Sequence, residues 1–199
     1  METIGEAETQ METRECCDES QSSDKKELYR KAIETSLLSS GWKREIAKGD
    51  YDKAVNSVVN ALATPKQGVI ISGEYGCGKT SFFKSVLKNY TMVECTLPES
   101  VECLDYHTHA DTVDYVLGTS VFIDDLGAEN LVSRYGVKTD IVGDFICRYH
   151  LKGQKRIFIT TNLRGDELLA RYGGRVFSRL KDLCIPVRFD GKDKRIWNL

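Results

Sequence analysis

The chain has 199 residues, a formal net charge of −2, 41% hydrophobic residues and 29% charged residues. This length allows one domain of ordinary size with a modest extension, and no apolar run approaches the roughly 18 residues that a membrane span needs. Seven cysteines without paired CxxC spacing predict free thiols and argue against a disulfide framework or a structural zinc site. The N-terminus lacks a secretory signal pattern, so we expect a soluble cytoplasmic protein with no membrane partner.

Charge is distributed unevenly along the chain. Residues 1–25 carry eight acidic residues against two basic ones, whereas residues 148–199 carry thirteen basic residues against five acidic ones. A basic surface of this size is suited to contact the phosphates of a nucleic acid. An ordinary solvated surface explains the same composition equally well, and the sequence leaves both interpretations open.

The first 64 residues divide into two parts. Residues 1–23 are rich in Glu, Ser, Thr and Gln with almost no large apolar residues, which predicts a disordered acidic N-terminus. Apolar residues then recur at helical spacing over 28–37 and 51–62, so we expect residues 24–64 to form a short helical N-terminal region. Packing against the rest of the chain and binding of a partner are both open roles for this region.

From residue 67 onward, short β-branched runs alternate with helical patterns. This alternation predicts an α/β fold over residues 65–199, with a central parallel five-stranded sheet flanked by helices. The predicted strands span residues 68–72, 91–96, 120–124, 156–161 and 185–189, and the predicted helices span residues 79–89, 110–117, 138–151 and 166–171.

A complete GxxxxGK[ST] motif follows the first predicted strand and precedes a predicted helix. The backbone N–H groups of such a loop point at phosphates, so we interpret it as a nucleotide-binding P-loop. Lys79 is predicted to reach the β- and γ-phosphates of ATP, and Thr80 to bind Mg²⁺. The candidate nucleotide-binding residues are Gly73, Glu74, Tyr75, Gly76, Cys77, Gly78, Lys79, Thr80 and Ser81.

Polar residues end two later strands of the predicted sheet. Asp124 and Asp125 follow an apolar run that would otherwise avoid charge, and Asn162 follows the run Ile157-Phe158-Ile159-Thr160-Thr161. We interpret Asp124 as a Walker B ligand of the Mg²⁺ shell and Asp125 as the group that orients or deprotonates the attacking water. Asn162 is expected beside the γ-phosphate, at the carboxyl edge of the sheet.

Two arginines, Arg175 and Arg179, lie four residues apart after a glycine pair, on one face of a predicted helix. An arginine supplied to the γ-phosphate of a neighbouring subunit stabilises the charge of the transition state and ties hydrolysis to assembly. Surface ion pairs with Asp166 or Asp182 are an equally good interpretation of the spacing.

Taken together, these strings resemble the DnaC-like helicase loaders and the related IstB transposition helpers. The similarity spans about residues 67–195 and rests on the strings GEYGCGKT, VFIDDLG, IFITTNL, YGGRVFSRL and FDGKDKR, together with Tyr135-Gly136 and the following helix that ends in Arg148-Tyr149. The resemblance implies an AAA+ P-loop NTPase fold. It also implies Asn162 as sensor I, Arg179 as the arginine finger and Arg175 as a nearby nucleotide or interface arginine.

The same resemblance implies a function and several partners. It predicts an ATPase that binds single-stranded DNA in an ATP-dependent manner, contacts a replicative helicase and self-associates through Arg179 into a ring or filament. Slow turnover, stimulated by DNA or a partner, is expected because Asp125 is shorter by one methylene than the common glutamate. The chain stops at Trp197-Asn198-Leu199, so no C-terminal helical lid is expected.

Three other functions stay open at this point. An IstB-like transposition regulator that acts with a transposase on duplex DNA shares nearly every core motif. A P-loop kinase of a small metabolite shares the loop but lacks a recognisable acceptor segment or lid. A nucleotide-gated scaffold with negligible turnover is compatible with the aspartate at position 125.

Overall fold

The computed structural model describes residues 23–39, 48–64, 67–88, 90–97, 99–134, 137–153 and 155–189. The predicted disordered segment 1–23, except its last residue, the FDGKDKR string after Phe189 and the chain end lie outside these ranges. Within them there are six α-helices and seven strands. The helices are α1 (23–39), α2 (Lys48–Ala63), α3 (Lys79–Val86), α4 (Ala110–Leu117), α5 (Ile141–Lys152) and α6 (Gly165–Leu183). The strands are β1 (Gly68–Gly73), β2 (Val93–Thr96), β3 (Val121–Leu126), β4 (Val132–Arg134), β5 (Val137–Thr139), β6 (Ile157–Thr161) and β7 (Cys184–Phe189).

Five strands form one parallel sheet in the order β2-β3-β6-β1-β7. This confirms the predicted α/β architecture with a central five-stranded parallel sheet. The order places β1 between β6 and β7, so the P-loop leaves the sheet beside the end of β6. Parallel strands present their carboxyl ends at one edge, where ligands bind in open α/β sheets.

The sheet is buried on both faces. Alternate residues of each strand point to opposite faces, and Val69 and Phe158 belong to one hydrophobic cluster whereas Ile70 and Ile159 belong to the other. The first cluster is covered by α1, α2 and α3, and the second by α4, α5 and α6. Strands buried on both faces are rich in consecutive apolar residues, and β1, β3 and β6 each contain three such residues in a row.

The two N-terminal helices pack on the sheet. Ile33 and Leu37 of α1 and Val58 of α2 are almost fully buried in the same cluster as Phe158 of β6. The guanidinium of Arg156 fixes the end of α2, donating to the carbonyl oxygens at positions 61, 62 and 64 at 3.0, 2.8 and 3.3 Å. The last carbonyls of a helix have no partner within it, so this arginine acts as their cap.

Helix α5 begins three residues later than predicted, and α6 spans two predicted helical segments. The predicted helix over 138–151 begins at Ile141, because residues 137–139 form β5, which pairs with β4 as an antiparallel hairpin. The carboxylate of Asp140 caps α5 by accepting from the N–H of Gly143 at 2.9 Å. The predicted helix over 166–171 and the predicted helix that carries Arg175 and Arg179 both lie in α6, which is interrupted between them by the non-helical Gly173. None of the helices in the described part of the chain is long and apolar enough to cross a membrane.

Candidate nucleotide site

The P-loop joins β1 to α3 at the carboxyl edge of the sheet. Gly76 has a φ of 73° and Gly78 a φ of 99°, left-handed conformations that glycine adopts without the steric cost of a side chain. They turn the chain so that α3 begins at Lys79. The N-terminal N–H groups of a helix attract anions, and the loop therefore has the form of a phosphate-binding site. Of its predicted contacts, Cys77 is buried, whereas Glu74, Tyr75 and Ser81 are exposed.

Lys79 is buried, with 5% of its surface exposed. Its Nζ donates to the carbonyl oxygens of Gly73 and Glu74, both at 2.8 Å, and to Oδ1 of Asn162 at 2.7 Å. An ammonium group carries three protons, so each can have one acceptor. The amine is thereby held at the mouth of the P-loop, against the end of β6.

Asn162 links the lysine to the second acid. While its Oδ1 accepts from Lys79, its Nδ2 donates to Oδ1 of Asp125 at 3.3 Å. The two contacts assign the amide orientation, since oxygen faces the ammonium and nitrogen faces the carboxylate. The structure therefore brings together Lys79, Asp125 and Asn162, the three residues predicted to surround a γ-phosphate.

Thr80 and Asp124 form the candidate magnesium site. The hydroxyl of Thr80 donates to Oδ1 of Asp124 at 2.8 Å, and Asp124 is 4% exposed. Mg²⁺ binds oxygen ligands at about 2.0–2.1 Å in an octahedron, which puts neighbouring ligands about 2.9 Å apart. The two oxygens thus have both the chemical type and the separation that adjacent ligands of Mg²⁺ require.

The end of β3 is irregular at the two acids. The pairing of β3 with β6 shifts register between Ile123 and Leu126, and Asp125 has a φ of 60°, the one positive value among the described non-glycine residues. Bulges re-aim side chains at strand ends and are common beside active sites. This one allows two successive carboxylates to face the same site, although side chains alternate along a regular strand.

Thr160 stabilises that bulge and was not among the predicted site residues. Its fully buried hydroxyl donates to Oδ1 of Asp124 at 2.5 Å and accepts from the backbone N–H of Asp125 at 2.9 Å. The feature that could have pointed to Thr160 is its position in a largely apolar strand. All five residues of this strand are buried, and a buried hydroxyl requires a hydrogen-bond partner.

Arg175 and Arg179 lie on α6 and are not part of this hydrogen-bond network. Arg175 is exposed. Arg179 lies 3.6 Å from Asp182, with 36% of its side chain exposed, while Asp166 pairs with Arg164 at 3.3 Å. The structure thus contains one of the two ion pairs considered for these arginines. Exposed pairs contribute at most about 1 kcal/mol, so Asp182 holds Arg179 only weakly.

A second network lies beyond the bulge and was not predicted from the sequence. The buried carboxylate of Glu129 accepts from the N–H of Gly127 at 2.9 Å and from the hydroxyl of Tyr172. Arg171 donates to the carbonyl oxygen of Glu129 at 3.0 Å. The pKa of Tyr172 is raised mainly by burial and secondly by the charge of the nearby Glu129 carboxylate. Its hydroxyl therefore remains protonated at neutral pH.

Comparison with solved structures identifies several proteins of similar fold. DnaI is 22% identical with a TM-score of 0.55, covering 69% of this chain and 84% of DnaI. The DnaC helicase loader is 19% identical with a TM-score of 0.51, covering 70% of this chain and 89% of DnaC. DnaA bound to AMPPCP and single-stranded DNA is 15% identical with a TM-score of 0.55, covering 74% of this chain and 48% of DnaA. No family model and no curated protein sequence matches the chain.

Proposed function

Starting from the DnaC-like AAA+ fold of this chain, we propose that it binds and hydrolyses ATP with Mg²⁺ and acts in DNA replication as a helicase-loader-like factor. Its proposed partners are a replicative helicase and single-stranded DNA. The observation that carries the proposal is the pair of linked contacts at the ends of β1, β3 and β6, Lys79–Asn162–Asp125 and Thr80–Asp124. Among proteins of similar fold, DnaC is a helicase loader and DnaA is seen with AMPPCP and single-stranded DNA.

In this proposal the P-loop and Lys79 hold the phosphates, with Ser81 next to them at the start of α3. Lys79 exchanges one of its present acceptors for a phosphate oxygen, which is the stronger partner because it is charged. Thr80 and Asp124 hold Mg²⁺, which when bound neutralises the charge that develops on the phosphates.

Asp125 orients the attacking water and accepts its proton. Asn162 acts as the sensor residue that responds to the presence of the γ-phosphate. The Asn162 amide donates to Asp125 and accepts from Lys79, so a change at either partner alters the amide's position. Such a link ties the state of the phosphates to the acid that acts on water. The short reach of aspartate supports slow basal turnover.

Arg179 acts in a neighbouring subunit and Arg175 lies at the same interface. On α6, Arg175 is exposed and Arg179 partly exposed, and neither belongs to the hydrogen-bond network at the nucleotide site of its own chain, which favours a role between subunits. An arginine supplied in trans is worth about 10³–10⁵ in rate. Hydrolysis is then confined to an assembled ring or filament.

The test measures ATP hydrolysis with and without single-stranded DNA while light scattering records the assembly mass. Wild type is compared with Lys79→Ala and Arg179→Ala, and the matched control is Arg164→Ala, an exposed arginine near the start of α6. We expect DNA to raise turnover, both site variants to abolish it and the control to retain it. A mixture of the two inactive variants should recover part of the activity, because one supplies the arginine and the other an intact P-loop.

Several outcomes would replace this proposal. Monomeric turnover that ignores DNA and Arg179→Ala would remove the assembly and direct attention to small-molecule acceptors of a kinase. Filaments on duplex DNA with no effect of single strands would favour the IstB-like function. ATP binding without turnover under any condition would leave a nucleotide-gated scaffold.

A further inference from the structure

Glu129 is a buried carboxylate outside the proposed phosphate and magnesium site. Its side chain is 2% exposed and lies 3.5 Å from the guanidinium of Arg171. Together with the contacts to Gly127 and Tyr172 described above, this gives the carboxylate three donors from two separate segments. Burial of a carboxylate is costly unless it is paired and hydrogen-bonded, so these segments are held together by a specific polar contact. We name Gly127, Glu129, Arg171 and Tyr172 the Glu129 cluster.

The two segments of the Glu129 cluster are adjacent to the two halves of the proposed ATPase. Gly127 and Glu129 directly follow the bulge that carries the acids of the magnesium and water sites. Arg171 and Tyr172 directly precede Gly173, where φ of 77° and ψ of 168° interrupt α6. The part of α6 beyond this interruption carries both interface arginines. A single buried carboxylate therefore connects the loop after the acids to the base of the arginine segment.

We propose that Glu129 is a positioning residue that couples the nucleotide site of one subunit to the arginine which that subunit offers to its neighbour. The proposal rests on the function proposed above. The Glu129 cluster fixes the first half of α6 to the loop after Asp125, and the direction of the second half follows from that anchor. A shift of about 1 Å in a group that acts on the transition state costs up to about a hundredfold in rate, so the anchor controls the rate in the neighbouring site.

The experiment separates the two roles of a subunit. Donor subunits carry Lys79→Ala and supply only the arginine, while acceptor subunits carry Arg179→Ala and supply only the P-loop. Glu129→Gln, which keeps the size of the side chain but removes its charge, is placed either in the donor or in the acceptor. The matched control is Glu99→Gln, an exposed glutamate. Hydrolysis is measured against ATP concentration in each mixture.

With Glu129→Gln in the donor we expect kcat to fall at least about tenfold and KM for ATP to stay unchanged, because the working nucleotide site is unaltered. A general loss of folding in the donor would instead reduce the assembled mass seen by light scattering. A kcat for the donor variant within twofold of the Glu99→Gln control would overturn the coupling role. If the mixture without any Glu129 change recovers no activity, the in-trans arginine itself fails and the coupling role fails with it.

Tyr172→Phe in the donor keeps the experiment decisive if Glu129→Gln does not assemble. This change removes one donor from the cluster but keeps the buried ring and the pair between Glu129 and Arg171. A fall in kcat of about threefold, in the same direction and again without a change in KM, is expected for the loss of one hydrogen bond. An unchanged kcat in this variant would count against the proposal in the same way.

Discussion

Asn162 illustrates how much of the site depends on contacts between residues far apart in the chain. It joins Lys79, 83 positions earlier, to Asp125, 37 positions earlier. The P-loop lysine and the acids could be proposed as site residues from the sequence because each belongs to a local motif. The contribution of Thr160 could not, since its two hydrogen bonds depend on the register shift of a neighbouring strand.

At the residue scale, Thr160→Val should weaken magnesium-dependent nucleotide binding. Valine has the shape of threonine without the hydroxyl, so Asp124 loses a donor and the buried N–H of Asp125 loses its acceptor. Groups that orient metal ligands typically change metal affinity by about 10–100-fold when removed, and we expect at least the lower figure for the half-saturating Mg²⁺ concentration. The measurement is binding of a fluorescent ATP analogue during a Mg²⁺ titration.

Thr160→Ser is the control for this prediction. Serine keeps the hydroxyl and loses one buried methyl group, a change that costs about 1 kcal/mol in stability but retains both hydrogen bonds. Identical Mg²⁺ titrations for the valine and serine variants would show that the hydroxyl does not support the site.

At the scale of elements, the five strands of the parallel sheet were predictable from the sequence and the β4–β5 hairpin was not. Strands β1, β3 and β6 each contain three consecutive apolar residues, as strands covered on both faces require. The β4–β5 hairpin has three residues in each strand, too few for a periodic pattern. The glycine pair at 173 and 174 predicts an interruption between two helical segments, and α6 is non-helical at Gly173. Its buried face continues on both sides of the interruption, with Tyr172 before it and Val176 and Leu180 after it.

The two adjacent glycines inside α6, Gly173 and Gly174, lead to opposite predictions. Gly173 occupies a region of φ and ψ that side chains other than hydrogen essentially do not adopt, so Gly173→Ala should cost about 1–3 kcal/mol of unfolding free energy or straighten the helix. Gly174 is helical, and an added Cβ would meet no atom within 4 Å at either position. Gly174→Ala should therefore stabilise the protein by about 0.5–1 kcal/mol.

Urea unfolding of the two alanine variants tests this pair directly. A second readout is the rate restored when each variant also carries Lys79→Ala and supplies Arg179 to a neighbour. Gly173→Ala should reduce this rate, because the part of α6 that carries Arg179 would point in a different direction. Gly174→Ala should preserve the rate. Equal stability and equal rates for the two variants would contradict a requirement for the interruption at Gly173.

At the scale of the whole molecule, Arg156 joins the N-terminal helices to the sheet. It precedes β6, caps the end of α2 and also donates to the hydroxyl of Tyr90 at 2.9 Å. The sequence placed residue 156 in a strand but gave no sign of this contact, which joins it to carbonyl groups more than ninety positions earlier.

Arg156→Met should lower the unfolding free energy by about 3 kcal/mol, because the half-buried carbonyls of α2 lose charged donors that contribute about 1.5–3 kcal/mol each and do not add fully. Lys155→Met, an exposed change one position away, should stay within about 0.5 kcal/mol of wild type. Chemical denaturation followed by far-UV circular dichroism compares them. A loss for Arg156→Met no larger than that for Lys155→Met would show that the cap does not stabilise the docked helix.

The hydrophobic cluster that α1 and α2 share with the sheet also limits where the N-terminal part of this chain can be exchanged for another sequence. Ile33 and Leu37 are buried together with the phenylalanines of α3 and β6. The hydrophobic core beside the P-loop therefore includes side chains of the N-terminal helices. Recombination that brought a new N-terminal segment to this chain would have to join the two genes upstream of α1. A crossover between α2 and β1, although it spares every nucleotide-site motif, would leave α3 as the only one of the three helices that cover this face of the sheet.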